Sequence, residues 1–202
     1  MQQKIGIFGG SFDPIHKGHL QIAQAAKTQL DLDYVYFVPA GNPPHKDGAD
    51  YTAAEHRVEM ISRAIENLPY AAISEWELQS DTIGYTYLTL QHFRAEHPYA
   101  ALYFLLGADS LRDFSSWRHP EMISELATLV VLQREELDIA ELQQMAQVLR
   151  DRFGTRVEIL NAPGVLAASH TIRARLLRGE DCTDVVPNKV LTYMKENDIY
   201  GA

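Results

Sequence analysis

The sequence predicts an α/β fold: a doubly wound, Rossmann-like parallel sheet with a small helical C-terminal extension. Three observations predict it. Short apolar runs of strand length alternate with helical patterns nearly throughout, which implies βαβ units and a parallel sheet. The first run, Lys4–Phe8, opens directly into Gly9-Gly10-Ser11. The C-terminal stretch from residue 166 onward reads as helix without strands, so residues 1–165 form the core and 166–202 a helical segment packed on it. Right-handed crossovers leave few topologies for such a core. Ligands in these sheets sit beyond the carboxyl ends of the strands, where strand order reverses.

Each element has its own signal. After the first strand, His19–Leu30 carries Leu20, Ala23, Ala26, Lys27 and Leu30 on one side of a helix. Tyr34–Val38 is aromatic and β-branched, and Pro39 ends it. Gly41 to Lys46 is loop by composition. Thr52-Ala-Ala-Glu55 reads as a capping box opening a helix to about Asn67. Ala71–Leu78 reads as the third strand, and a helix runs from about Tyr85 to Arg94. Leu102–Leu106, Ala127–Leu132 and Arg156–Leu160 are the remaining strands, with a helix over Asp138–Phe153. Thr171–Leu177 and Asn188–Asn197 are the closing helices.

Composition bounds the function. The chain has 202 residues, 46% hydrophobic and 22% charged, enough for one domain with a real core and unlike a disordered protein. No apolar run approaches the roughly 18 residues of a membrane helix. A net charge of −9 argues against a protein that coats nucleic acid, and leaves room for a small anionic ligand held by locally gathered cations. The N-terminus lacks a charged segment followed by an apolar one, so no secretory signal is expected. The single Cys182 cannot form an internal disulfide. Together these predict a reducing, cytoplasmic setting.

The chemistry-bearing residues follow the strands. Gly9 and Gly10 allow close backbone approach, and with Ser11 and Phe12 they offer N–H donors to a ligand. The glycine spacing fits neither a G-x-G-x-x-G fingerprint nor a Walker A loop. Asp13-Pro14 is a turn. His16 and His19 stand three apart at a helix start, on one face, where the positive dipole end favours phosphate. Two imidazoles there can donate to a phosphoryl group as its charge shifts. A zinc pair is the competing reading, but no Cys, Asp or Glu at suitable spacing completes a set. Pro43 and Pro44 stiffen a loop that presents His45 and Lys46; an exposed basic loop explains them equally well. Thr86, after Tyr85, can cap its helix. Beyond the fourth strand, Asp109 after Gly107 can accept from ribose hydroxyls, and Trp117 can stack on a pyridine ring; a helix cap and a core aromatic are the bland alternatives. Ser169, Thr171 and Ile172 open a helix whose amides face outward, and Arg173 offers a forked donor set for phosphate. Its ordinary alternative is a surface ion pair with Glu180 or Asp181. Cys182 is read as inert, and Ile199-Tyr200 as packing.

The run Gly9-Gly-Ser-Phe-Asp-Pro-Ile-His16-Lys-Gly-His19 resembles the signature of the nucleotidylyltransferase superfamily with its H-x-G-H element. Class I aminoacyl-tRNA synthetases carry a relative of it, but also a K-M-S-K-S loop that this sequence lacks. Pro43-Pro44-His45-Lys46, Gly84-Tyr85-Thr86 and Gly107-x-Asp109 followed by Trp117 are similar to blocks of the bacterial nicotinate mononucleotide adenylyltransferases. Ser169-His-Thr-Ile-Arg173 resembles that family's I-S-S-T-x-x-R element, matching at Ser169 and Arg173.

The resemblance implies adenylyl transfer from ATP to nicotinate mononucleotide. It assigns His16, His19, Lys46 and Arg173 to the reacting phosphates. It assigns Gly9, Gly10, Ser11, Phe12, Gly107, Asp109, Ser169, Thr171 and Ile172 to ATP. His45, Tyr85, Thr86 and Trp117 fall to the mononucleotide. Mg²⁺ is expected on the ATP phosphates, with no metal held by the protein, no nucleic acid and no membrane. A sibling transferase with another phosphorylated acceptor, such as nicotinamide mononucleotide, and a non-catalytic nucleotide-binding regulator remain open at this point.

Overall fold

The computed structural model describes residues 2–41, 52–79, 84–133, 139–161 and 167–201. Among them, six strands form one parallel sheet: β1 (Lys4–Gly10), β2 (Tyr34–Pro39), β3 (Ala71–Ile73), β4 (Ala101–Leu106), β5 (Thr128–Gln133) and β6 (Val157–Asn161). Their spatial order is β3-β2-β1-β4-β5-β6. The chain moves outward from β1 to β3, then returns to β4 on the other side of β1. The order reverses between β1 and β4, and the crevice beyond their carboxyl ends is the place for a ligand.

The helices are α1 (Lys17–Leu30), α2 (Ala54–Ile65), α3 (Trp76–Gln79), α4 (Thr86–Glu96), α5 (Ala108–Asp113), α6 (Pro120–Leu126), α7 (Ile139–Phe153), α8 (Ser169–Leu177) and α9 (Asn188–Glu196). They cover both faces of the sheet. Alternation along each strand divides the core accordingly. Phe8, Val35, Phe37, Leu105 and Val130 bury with α1, α2, α8 and α9 residues such as Ala23, Met60, Ile172 and Met194. Ile5, Ile7, Phe104, Leu129 and Val131 bury on the opposite face with Leu90, Phe93, Leu111, Ile123 and Leu142 from α4 to α7. No described helix is long and apolar enough to cross a membrane.

The predicted elements are present, with corrections at three places. The third strand is shorter than Ala71–Leu78. Its ladder with β2 covers Val35 to Phe37, Ser74 N–H donates to the Phe37 carbonyl at 2.9 Å, and the chain then turns into α3. Glu-Leu-Gln are good helix formers and β3 is an edge strand, so little holds that stretch extended. Second, α5 and α6 lie between the fourth and fifth strands, where the sequence names no element. A parallel pair requires a crossover, and Pro120 at the first turn of α6 starts that helix. Third, the expected caps are displaced. Ala53 is the N-cap of α2, Tyr85 that of α4 and Ala168 that of α8, none with a side-chain cap bond. The Thr52 and Ser169 hydroxyls serve tertiary contacts instead.

Candidate active site

The loop from β1 to α1 is built by its own side chains. A Cβ on Gly10 would stand 3.2 Å from Phe12 Cζ, so the glycine gives the Phe12 ring its place as well as exposing backbone. Phe12 has φ 48°, left-handed for a non-glycine residue, which costs about 1–2 kcal/mol. Burial of its ring offsets this. The ring sits edge-on to Phe8 with centroids 5.4 Å apart and to His19 at 5.0 Å. The Asp13–Pro14 bond is cis.

His16 is the N-cap of α1, and its backbone N–H donates to His19 Nδ1 at 3.2 Å. The two rings stack, centroids 3.6 Å apart and tilted by 23°. This hydrogen bond sets chemistry. An Nδ1 that accepts leaves the proton of a neutral His19 on Nε2, so the ring presents a donor on its far side. His16 is buried beneath, and His19 is half-exposed.

The carbonyls of the same loop are held by distant elements. Arg57, buried on α2, donates through Nη1 to the Ser11 carbonyl and through Nε to that of Thr52, each at 3.0 Å. Arg173 Nη1 donates to the Asp13 carbonyl at 2.6 Å, and Ser169 Oγ to that of Pro14 at 3.0 Å. Lys17 donates its backbone N–H to Val185 O and its Nζ to Thr183 O, both at 2.8 Å. The buried Asp13 carboxylate accepts from Tyr200 Oη at Oδ1 and from Thr52 N–H at Oδ2, 3.5 Å away; Arg173 Nη1 stands 3.9 Å from Oδ2. The N-termini of α1 and α8 therefore meet at one loop, each adding positive dipole charge. Arg173 makes neither expected ion pair: Glu180 lies 3.7 Å from Arg175, which meets Asp181 at its backbone carbonyl and pairs with Asp184 at 2.9 Å. Two residues along a helix turn a side chain by some 200°, so the neighbouring arginines serve opposite sides.

Across the crevice, Gly107 is the N-cap of α5. Asp109, in its first turn, is exposed and pairs with Arg112 at 3.2 Å, so it does not cap. Trp117 is half-buried, edge-on to Phe104 at 6.1 Å and tilted against Phe114 at 5.5 Å. Tyr87 meets His119 at 4.8 Å, which brings the first turn of α4, with Tyr85 and Thr86, beside the Trp117 segment. Thr171 is exposed on α8 and Ile172 is buried beneath it. His45 and Lys46 lie outside the described residues. Gly41 precedes them, and its N–H is bonded to the buried Glu77 carboxylate, which also accepts from Thr89 Oγ1 at 2.5 Å. Burial pushes the Glu77 carboxyl above its ordinary range, and those two bonds oppose the shift.

A cytidylyltransferase-like family model matches residues 7–175. A curated Clostridium tetani protein named "Probable nicotinate-nucleotide adenylyltransferase" is 37% identical over 198 residues, covering 98% of this chain and 99% of that one. One of the same name from Thermomicrobium roseum is 38% identical over 199 residues, covering 98% and 91%. The chain belongs to the nicotinate-nucleotide adenylyltransferase family. The fold agrees with a solved Plasmodium falciparum nicotinic acid mononucleotide adenylyltransferase in complex with NaAD, at TM-score 0.79, 22% identity and 98% coverage of both chains.

For a nicotinate-nucleotide adenylyltransferase family member, the sequence reading passed over four residues that shape this site. In sequence Asp13 reads as a turn and Tyr200 as packing, and neither has a local signal for its partner 187 positions away. Glu77 was placed in a strand. Arg57 did carry a signal: it shares the buried stripe of α2 with Met60, Ile61 and Ile65, at spacings where a cation is out of place unless it has acceptors.

Proposed function

We propose that this chain transfers the adenylyl group of ATP to nicotinate mononucleotide, releasing pyrophosphate and forming nicotinate adenine dinucleotide. One observation carries the reading: the N-termini of α1 and α8, with His19 and Arg173, converge on the Gly9–His16 loop at the end of β1, in a chain that aligns along its length with nicotinate-nucleotide adenylyltransferases. The mononucleotide phosphate is already an anionic nucleophile near neutral pH. It attacks the α-phosphorus of ATP in line, a new P–O bond forms, and the bond to the departing pyrophosphate breaks with its electron pair. No strong base is required. Alignment of the two phosphates supplies up to about 7–11 kcal/mol of the barrier lowering, and fixed donors stabilise the transferring group.

In this reading Gly9, Gly10, Ser11 and Phe12 hold the nucleotide with backbone N–H groups. His19 donates from Nε2 to a phosphate oxygen, and His16 supports it from below. Arg173, with Ser169, Thr171 and Ile172 on the first turns of α8, faces the ATP phosphates, so segment 166–202 completes the ATP site. Gly107 and Asp109 serve the adenosine half. Tyr85, Thr86 and Trp117 take the pyridine end; His45 is assigned to the mononucleotide and Lys46 to the reacting phosphates.

Among the described residues no three His, Cys, Asp or Glu stand together as a metal cage. Asp13, the carboxylate nearest the loop, is engaged by Tyr200, Thr52 and Arg173. Mg²⁺ is assigned to the ATP phosphates, whose charge it would screen when bound. The buried Cys182, its thiol pushed up by burial, fits a reducing, cytoplasmic setting.

The test is pyrophosphate release with ATP and Mg²⁺, offering nicotinate mononucleotide and nicotinamide mononucleotide separately. Preference for the acid is expected. Preference for the amide would keep the transfer but overturn the acceptor, and no release with either would overturn the reading.

A further inference from the structure

A tyrosine hydroxyl near the far end of the chain is hydrogen-bonded to the phosphate loop. Tyr200 lies in the 3-10 turn Ile199–Gly201, in a left-handed conformation of φ 60° that a tyrosine rarely adopts. That conformation carries its half-buried ring to the β1–α1 loop. There the hydroxyl donates to Asp13 Oδ1 and accepts from Thr52 Oγ1 at 2.8 Å. One O–H and its lone pairs serve two partners, so the phenolic oxygen is aimed from both sides. Burial and the Asp13 carboxylate together raise the phenol's pKa far above its ordinary value, so the donor role persists at every working pH.

Asp13 is 1% exposed and offers two oxygens to one nitrogen of Arg173. The backbone carbonyl accepts from Nη1 at 2.6 Å, and carboxylate Oδ2 stands 3.9 Å from the same atom. Among the described residues Arg173 makes its bonds through Nη1 alone. Nη2 and Nε are left to a ligand, and the side chain is 36% exposed. Where Asp13 sits therefore decides where the free edge of the guanidinium points. The next residues after Asp13 are the cis-proline and Ile15, and then the His16 N-cap, so the same placement reaches the two histidines through three residues of backbone.

We propose that Tyr200 is a positioning residue for adenylyl transfer, holding Asp13 so that Arg173 and the start of α1 keep their alignment on the phosphates. This rests on the assignment of Arg173 to phosphate made above. Tyr200 touches no reacting atom in this account; it acts through Asp13.

The test is Tyr200→Phe, which keeps the ring and removes one hydroxyl. The expected result is a kcat about ten- to thirtyfold lower, with KM for either substrate within twofold, because what is lost is alignment of bound phosphates. A purely structural latch would lower the melting temperature and leave kcat per folded molecule unchanged, and that result overturns the proposal. A double-mutant cycle sharpens it. In an Arg173→Ala background the same Tyr200→Phe change should alter kcat less than threefold, whereas an undiminished effect would overturn action through Arg173. Amide hydrogen exchange over residues 15–17 needs no turnover: faster exchange in Tyr200→Phe supports the proposal and unchanged exchange overturns it. It therefore decides this inference even if wild-type protein releases no pyrophosphate, the outcome that would overturn the function itself. Should Tyr200→Phe unfold at assay temperature, Thr52→Val removes the group that aims the phenol and should lower kcat two- to fivefold; no change there would count equally against the proposal.

Discussion

Gly41→Ala is the substitution whose consequence the geometry states most directly. A Cβ at Gly41 would lie 2.0 Å from the Glu77 carbonyl oxygen, 2.8 Å from its carbonyl carbon and 3.4 Å from Leu78 N. All three are backbone atoms, so no side chain can swing aside. Either β2's exit or the first turn of α3 must retreat by about 1 Å or more, and forced overpacking of this kind costs about 1–3 kcal/mol. The retreat also draws the Gly41 N–H off the buried Glu77 carboxylate, and a bond to a charged acceptor is worth about 1.5–3 kcal/mol. Relaxation lets the two effects share one movement, so the expected loss is about 2–5 kcal/mol. For a chain of this size that lowers Tm by roughly 5–15 °C. Ala40, one residue earlier, donates its N–H to the Gly10 carbonyl at 2.9 Å, so the strain reaches the β1–α1 loop. Thermal unfolding by circular dichroism measures the first effect, and steady-state pyrophosphate release the second, where KM for nicotinate mononucleotide should rise at least threefold. Wild-type Tm together with wild-type KM would refute the close approach.

Three further substitutions test the site. His19→Ala removes the Nε2 donor and should lower kcat about 100- to 1000-fold while nucleotide affinity, measured by titration calorimetry, moves only a few-fold; a large KM rise at unchanged kcat would contradict the assignment. Trp117→Leu keeps apolar contact with Phe104 and Phe114 but removes the aromatic face. KM for nicotinate mononucleotide should rise about three- to tenfold, with KM for ATP unchanged, as expected for an aromatic stacking contribution of about 0.5–1.5 kcal/mol. Glu77→Gln probes pH. Burial raises the Glu77 carboxyl above its ordinary 4.5, so the folded state holds that proton more tightly than the unfolded chain. The stability this confers is complete below 4.5 and is lost as pH rises through the folded value. Urea midpoints at several pH values should therefore show wild type losing ground to Glu77→Gln as pH rises above 4.5, and a constant difference would refute the shift.

Much of this protein was legible in one dimension because the relevant forces are local. Strand and helix periods divided the chain into alternating elements, and alternating elements imply a parallel sheet wound on both sides. The Gly-Gly-Ser turn and the histidines three apart described the start of α1 from spacing alone, and the stacked rings follow from it. Where contacts run across the chain, the local pattern had nothing to say. Thr52 looked like a cap and instead meets Tyr200, 148 positions on. Arg173 and Arg175 were indistinguishable by type. Helix phase turned one toward Asp13, 160 positions back, and the other toward Asp184. Trp76 to Gln79 had strand-like neighbours, yet an edge position left the helix unopposed. Sequence by itself thus determined the elements, their alternation and the start of α1 after the Gly-Gly-Ser loop, since each depends on residues a few positions apart. Tertiary structure alone decided the strand order and the C-terminal segment's grip on that loop. Those depend on which buried acceptors find donors once distant surfaces close on each other, and no short stretch of chain contains both partners.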